Sequence, residues 1–157
     1  MDVATTRSET YAEPAALPEL TAVKVHIEAD LFRRDFTINA LAARLDDGSG
    51  ALVDPYGGLR DLKDKTLRVL HPASFRDDPT RVFRAARFLA RLRCAPAAGM
   101  MDEAKDALAA GHAARLSRHR LLHELTCLLE EKDPRPAFAL PEEWGYLALL
   151  FPGLPRR

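Results

Sequence analysis

The chain has 157 residues, enough for one medium domain or two small pieces, and 23 Lys+Arg balance 23 Asp+Glu to zero net charge. That balance argues against attraction of a whole basic surface to nucleic acid. No apolar run is long enough to span a membrane, no signal segment opens the chain, and Cys94 and Cys127 fit neither a zinc spacing nor a disulfide framework. A soluble, intracellular (cytoplasmic) protein with reduced thiols is the expectation.

The predicted elements begin with a strand over residues 2–7, so the chain starts inside or beside a sheet with no element before it. Residues 8–28 carry Pro14 and Pro18 with little periodicity and read as a loop with short extended pieces. A helix is expected over Asp30–Ala43, although Thr37 and Asn39 are weak helix formers within it. Arg44–Val53 reads as a β-hairpin turning at Asp46-Asp47-Gly48. Asp54–Gly58 is a turn, Leu59–Lys65 a short helix and Thr66–Leu70 a strand, and His71-Pro72 ends the α/β portion.

Beyond Ser74 the pattern is helical throughout, and Phe75–Arg93 organises it. Asp78 is placed to cap the helix and Pro79 to fill its first position. At about 100° per residue, Val82, Ala85, Ala86, Leu89, Ala90 and Leu92 share an apolar arc. Arg81, Arg84, Arg87 and Arg91 share the other side, interrupted by Phe88. Further on, Met100–Ala110 is stopped by Gly111, and Ser117 caps Arg118–Glu130, with Leu121, Leu122, Leu125, Leu128 and Leu129 as its core face. Asp133-Pro134 starts another helix, broken by Pro141, and Trp144–Phe151 forms a last apolar turn or two.

An arginine stripe is most simply a solvated helix face. Here, however, residues 75–93 hold no lysine and no glutamate to make the usual i,i+4 pairs. From Arg68 to Arg93 there are seven arginines against Asp77 and Asp78 alone, so the basic patch is local. Asp78 and Arg81, one turn apart, set an acceptor beside a fork of donors. Such a pair can meet the polar edge of a nucleobase while further arginines meet phosphates. The spacing predicts that both project to one side, into an open cleft facing the Asp30–Ala43 segment. The five histidines form no metal-ligand motif, and no P-loop or nucleophile elbow occurs.

Arg33-Arg34-Asp35-Phe36-Thr37-Ile38-Asn39-Ala40-Leu41-Ala42 resembles the RRDFTIN motif of the class II tRNA nucleotidyltransferase (CCA-adding enzyme) and bacterial poly(A) polymerase family. Asp54-Pro55-Tyr56-Gly57-Gly58-Leu59-Arg60-Asp61-Leu62 resembles its head–neck hinge motif. Asp77-Asp78-Pro79-Thr80-Arg81, with Arg84 and Arg87, is similar to its base-reading motif, where glutamate usually stands at the position of Asp77. Leu116-Ser117-Arg118-His119-Arg120 with Glu124-Leu125 resembles the neck motif that follows, and Asp2–Glu9 fits a head-domain strand.

The resemblance implies an α+β fold: a partial nucleotidyltransferase head over about 1–70, with an incomplete sheet plus helix, then an all-α neck over 71–157. It implies that Arg34 contacts the triphosphate of ATP or CTP and Asp35 the ribose. It further implies that Asp78 and Arg81 read the base, and that Arg84 and Arg87 complete the nucleotide pocket. The family's Gly-Gly turn and metal-binding Asp-x-Asp are absent from this chain. The expectation is therefore a piece lacking the N-terminal head strands, with no metal site of its own, with Asp2 the one carboxylate near such a place, and inactive alone. The intact enzyme would use Mg2+ and a tRNA or other RNA 3′ end. A poly(A) polymerase fragment and a non-catalytic RNA- or nucleotide-binding helical module remain alternatives, and oligomeric state is left open.

Overall fold

The computed structural model describes residues 3–45, 48–151 and 153. Asp2, and Asp46-Asp47 of the expected hairpin turn, lie outside the described residues. The first strand runs later than the sequence suggests: β1 is Arg7–Thr10, paired antiparallel with β2, Glu19–Val23, inside the stretch expected to be loop. Earlier extension is diverted. The Arg7 N–H donates to the Asp30 carboxylate at 3.0 Å, and the Thr6 hydroxyl to the Val25 carbonyl at 2.7 Å.

The helix expected over 30–43 is broken into three: α1 (Ile27–Phe32), a 3-10 turn (Thr37–Asn39) and β3 (Ala42–Ala43). The residues that weaken a helix here each have a better partner. Asp35 Oδ1 accepts from the Phe36 N–H and from Asn39 Nδ2, both at 2.9 Å. The Thr37 hydroxyl donates to Asp61 at 2.7 Å. Phe36 is extended, bridges to Val69 and is fully buried, so the core takes the ring that a continuous helix would have turned elsewhere.

The antiparallel pairing expected over Arg44–Val53 starts earlier, with β3, from the segment expected to be helix, paired to β4 (Leu52–Val53). The following turn is fixed by Asp54, whose carboxylate accepts from the N–H groups of Gly58 (2.7 Å) and Leu59 (3.0 Å) at the start of α2 (Gly58–Lys63). β5 (Thr66–Leu67) is shorter than expected. Its partner is β6 (Ala95–Pro96), parallel, within a stretch that reads locally as a helix break.

The helix expected to start at Pro79 behind an Asp78 cap begins two residues later, and a short helix precedes it. α3 (Ser74–Asp77) ends at Asp78, which is extended (φ −136°, ψ 92°), and α4 begins at Arg81 and runs to Leu92. Pro79 is the cause, because a proline disfavours helical geometry in the residue before it. Asp78 therefore closes α3 rather than opening α4, yet its carboxylate still accepts from the Thr80 N–H at 3.0 Å. α5 (Met100–Ala109) precedes Gly111, which takes φ 75°. α6 (Arg118–Leu129) has Ser117 as its N-cap, with the side chain accepting from the Arg120 N–H. α7 (Arg135–Glu143) continues through Pro141 instead of breaking there, and α8 (Tyr146–Leu150) closes the bundle.

One core joins these pieces. Phe36, Leu67 and Phe75 meet Val82, Phe83, Ala85 and Leu89 of α4, and then Met100, Leu128, Trp144 and Tyr146. Tyr146 packs edge-on to Phe83 and donates to the Ala104 carbonyl at 2.8 Å. α6 meets the core with Leu128, and Leu121 and Leu125 pack against it, as expected, whereas Leu122 and Leu129, also expected in the core, are 65% and 64% exposed.

Candidate functional site

Three stretches distant in sequence surround a cavity of about 520 Å³. The α1-to-turn segment contributes Arg33, Arg34, Asp35 and Asn39; the α3–α4 break contributes Asp78; one face of α4 contributes Arg81, Arg84 and Phe88; Tyr11 follows β1. The spacing of Arg81, Arg84 and Phe88 by three and four residues puts them on one side of a helix. The volume lies within the range of small-molecule sites.

Asp35 and Arg84 form the most tightly bonded pair. Arg84 Nε donates to Asp35 Oδ2 at 2.7 Å, and Nη2 stands 2.5 Å from the same oxygen. Because Asp35 Oδ1 already fixes Phe36 and Asn39, this carboxylate ties the turn to α4. Phe88 stands beside the Arg84 guanidinium, 6.0 Å from its ring centre, and edge-on to Phe36 at 5.6 Å. Arg34 is exposed; it donates to the Asn39 carbonyl at 3.1 Å and stands 3.7 Å from Asp30. It is the cation of this wall most open to an arriving anion.

Asp78 and Arg81 both line the cavity, but the open cleft expected around Arg81 is not what the structure has. Arg81 is only 4% exposed. Nη1 donates to Ser74 Oγ at 2.5 Å, and Nη2 to the Tyr11 hydroxyl at 3.4 Å and the Arg33 carbonyl at 3.2 Å. A guanidinium has five N–H donors, so Nε–H and one Nη1 hydrogen are without a partner among the described residues. The fork is buried because its acceptors come from residues 48 and 70 positions away, which no helical wheel can display.

Asp78 is held in a similar way through one oxygen. Oδ1 accepts from the Thr80 N–H (3.0 Å), the Thr80 hydroxyl (2.5 Å) and Arg120 Nη2 (2.7 Å). Among the described residues no donor reaches Oδ2, which stays available as an acceptor. Arg120 also donates to the carbonyls of Ala15 (2.9 Å) and Ala16 (3.5 Å), joining the segment after β1 to the α3–α4 break.

Two expected neighbours lie off the cavity. Arg87 is not on its wall; its charge bears on Glu124, a carboxylate that burial pushes above its usual range against the pull of Arg84 and Arg87. Asp77 turns away and pairs with Arg76 at 3.0 Å. Conversely, Tyr11, Arg33, Asn39 and Phe88 line the cavity without being among the residues expected to bind the nucleotide. For Phe88 a signal exists, since it is the one apolar residue within the arginine arc. For Tyr11 there is none.

Residues 1–68 match the family model described as the poly A polymerase head domain. An A-adding tRNA nucleotidyltransferase of Geobacter sulfurreducens is 44% identical over 98% of this chain and 17% of its own length. A CC-adding tRNA nucleotidyltransferase of Deinococcus radiodurans is 43% identical over 98% of this chain and 40% of its own length. A solved CCA-adding enzyme in an apo form superposes with a TM-score of 0.90 at 40% identity, covering 98% of this chain and 36% of that one. The chain thus spans well under half the length of these relatives.

Proposed function

Because the chain belongs to the tRNA nucleotidyltransferase and poly(A) polymerase family, we propose that it is the nucleotide-selecting part of an enzyme that adds CMP or AMP to tRNA 3′ ends without a nucleic-acid template. In the intact enzyme the RNA 3′-hydroxyl attacks the α-phosphate of CTP or ATP and pyrophosphate leaves. Residues 1–70 act as a partial head and 71–157 as the neck, in the cytoplasm where tRNA is matured. The observation that carries this is the convergence of Arg34, Asp35, Asp78, Arg81 and Arg84 on one cavity of about 520 Å³.

Each group has a task that its chemistry allows. Arg34, exposed and only loosely paired, meets phosphate oxygens. Asp78 Oδ2 and the spare N–H groups of Arg81 meet the base edge as acceptor and donors. Asp35 holds Arg84 and lies beside the ribose position. Arg87, which is off the cavity wall, bears on this site through its charge on Glu124.

The family's chemistry uses Mg2+, which neutralises charge on the reacting phosphates when bound. Among the described residues no three His, Cys, Asp or Glu side chains form a group able to hold a metal. Asp35 and Asp78 are each already bonded to an arginine. These residues do not fit a two-metal site, and their contribution is binding and selection.

The test is calorimetric titration of the 157-residue chain with CTP, ATP, GTP and UTP. CTP and ATP are expected to bind more tightly than GTP and UTP. Arg34→Ala should weaken all four nucleotides alike, by about tenfold or more for a lost charged hydrogen bond. Asp78→Asn should instead redistribute the preference among bases. Absence of binding, or equal binding of all four by the unmodified chain, would overturn the proposal.

A further inference from the structure

Tyr11 stands in a wall between two cavities. On one side is the site of about 520 Å³; on the other is a second hollow of about 430 Å³ that shares Tyr11, Arg33 and Arg81 and adds Phe32 and His71. Tyr11 lies outside every motif that carries the family resemblance to a nucleotide site. Yet its hydroxyl accepts from Arg81, the donor of the proposed base-reading pair.

We propose that Tyr11 is a specificity-determining positioning residue of the nucleotide site: its hydroxyl steadies one arm of the Arg81 guanidinium and offers its own O–H to the bound base. This rests on the reading of the cavity as a nucleotide site. Three acceptors hold Arg81. Ser74 is fully buried and not on the cavity wall, and the Arg33 acceptor is a main-chain carbonyl. Tyr11 is the one whose accepting group is a side chain of the cavity wall. It is also the one that carries a proton to give, because a phenol is donor and acceptor at once. At 3.4 Å it is the longest of the three bonds, so this is the arm most easily redirected by a ligand.

The phenol keeps that proton. Burial pushes its pKa up, and the nearby Asp78 and Glu9 charges push the same way, outweighing the Arg81 charge that pulls it down. A neutral hydroxyl accepting from a guanidinium is polarised towards donating. Together with Asp78 Oδ2 and the spare N–H groups of Arg81, the site then presents one acceptor and two kinds of donor. Removing the hydroxyl leaves Nη2 with the Arg33 carbonyl alone and takes the Tyr11 O–H from the base, so discrimination between bases should suffer before affinity for phosphates does.

The experiment compares the full chain with its Tyr11→Phe variant, which keeps the ring. Each is titrated with CTP, ATP, GTP, UTP and inorganic tripolyphosphate, and thermal unfolding is recorded alongside. The preference for CTP and ATP over GTP and UTP should narrow by about threefold or more, the scale of one neutral hydrogen bond. Tripolyphosphate affinity should stay within about twofold. A preference unchanged within about twofold would refute the inference while leaving the nucleotide site standing. Equal weakening of all five ligands would refute it too, since that is the mark of a merely structural tyrosine. If the unmodified chain shows no base preference, the parent reading falls and this one with it.

Discussion

Gly57 and Gly58 are adjacent and both glycine, but for different physical reasons, and replacing each by alanine separates them. At Gly58 a methyl group would lie 2.9 Å from the carbonyl carbon of Thr37, closer still to its oxygen, and 3.2 Å from Leu41 Cδ2. Carbon atoms in ordinary contact stand about 3.5–4.0 Å apart, so the α2 start and the 3-10 turn must separate by well over half an ångström. Thr37 cannot yield easily. Its N–H donates to the Arg68 carbonyl at 3.0 Å and its hydroxyl to Asp61 at 2.7 Å. Overpacking against such a pinned backbone belongs at the upper end of the usual range, about 3 kcal/mol. For a chain of this size that is a fall in melting temperature of roughly 6–12 °C.

At Gly57 a methyl group meets nothing within 4 Å, and the obstacle is the left-handed backbone at φ +74°. That costs about 1–2 kcal/mol. Denaturant unfolding of both variants should therefore rank Gly58→Ala as the less stable. The turn that Thr37 begins also places Asn39 on the cavity wall and is bonded to Asp35. Nucleotide affinity should fall in Gly58→Ala even below its unfolding transition and stay near normal in Gly57→Ala. A Gly58→Ala chain as stable as Gly57→Ala, or more so, would refute the steric account.

Asp30 and Asp61 bear on acid stability. Burial alone would raise both, but hydrogen bonds and charges from Arg7, Arg33 and Arg34 at Asp30, and from Arg68 and Thr37 at Asp61, hold both below the usual carboxylate range. Depressed folded-state values mean stability that is fully present above the unfolded pKa of about 4 and lost as pH falls through the lower folded values. Thermal unfolding should show a decline below about pH 4 that is shallower in Asp61→Asn, whose neutral-pH stability is already reduced. An unchanged acid profile in that variant would count against the assignment. Arg120→Ala should cost about 1–3 kcal/mol, because it takes the ion-pair partner from the Asp78 carboxylate and a donor from the Ala15 and Ala16 carbonyls. It should also speed exchange of the Ala15 amide, which donates to the Asp77 carbonyl at 3.1 Å; unchanged protection of that amide would show that Arg120 does not hold the segment.

Features that rest on neighbours within a turn or two are legible in the order of residues. Ser117 caps α6, Gly111 follows α5, Asp54 organises the turn into α2, and the apolar spacing of α4 buries Val82, Ala85, Ala86 and Leu89. In each case the partners are a few residues apart, so the pattern and the contact are nearly the same thing. Motif order also carried the family resemblance, because the motifs lie within single local segments.

Which polar group each residue finds depends on how the chain packs. Helical periodicity cannot say that Phe36 leaves a helix for the core, or that Ala95–Pro96 supplies a strand to Thr66–Leu67. It places Arg81 on a solvated arc, whereas Ser74, Tyr11 and the Arg33 carbonyl draw that guanidinium inside. Burying a charged side chain is costly unless acceptors meet it, and those that take three of the five N–H groups of Arg81 lie seven to seventy positions away. The cavity is made by meetings of this long-range kind, which is why Tyr11 emerges from the packed chain and not from the order of its residues.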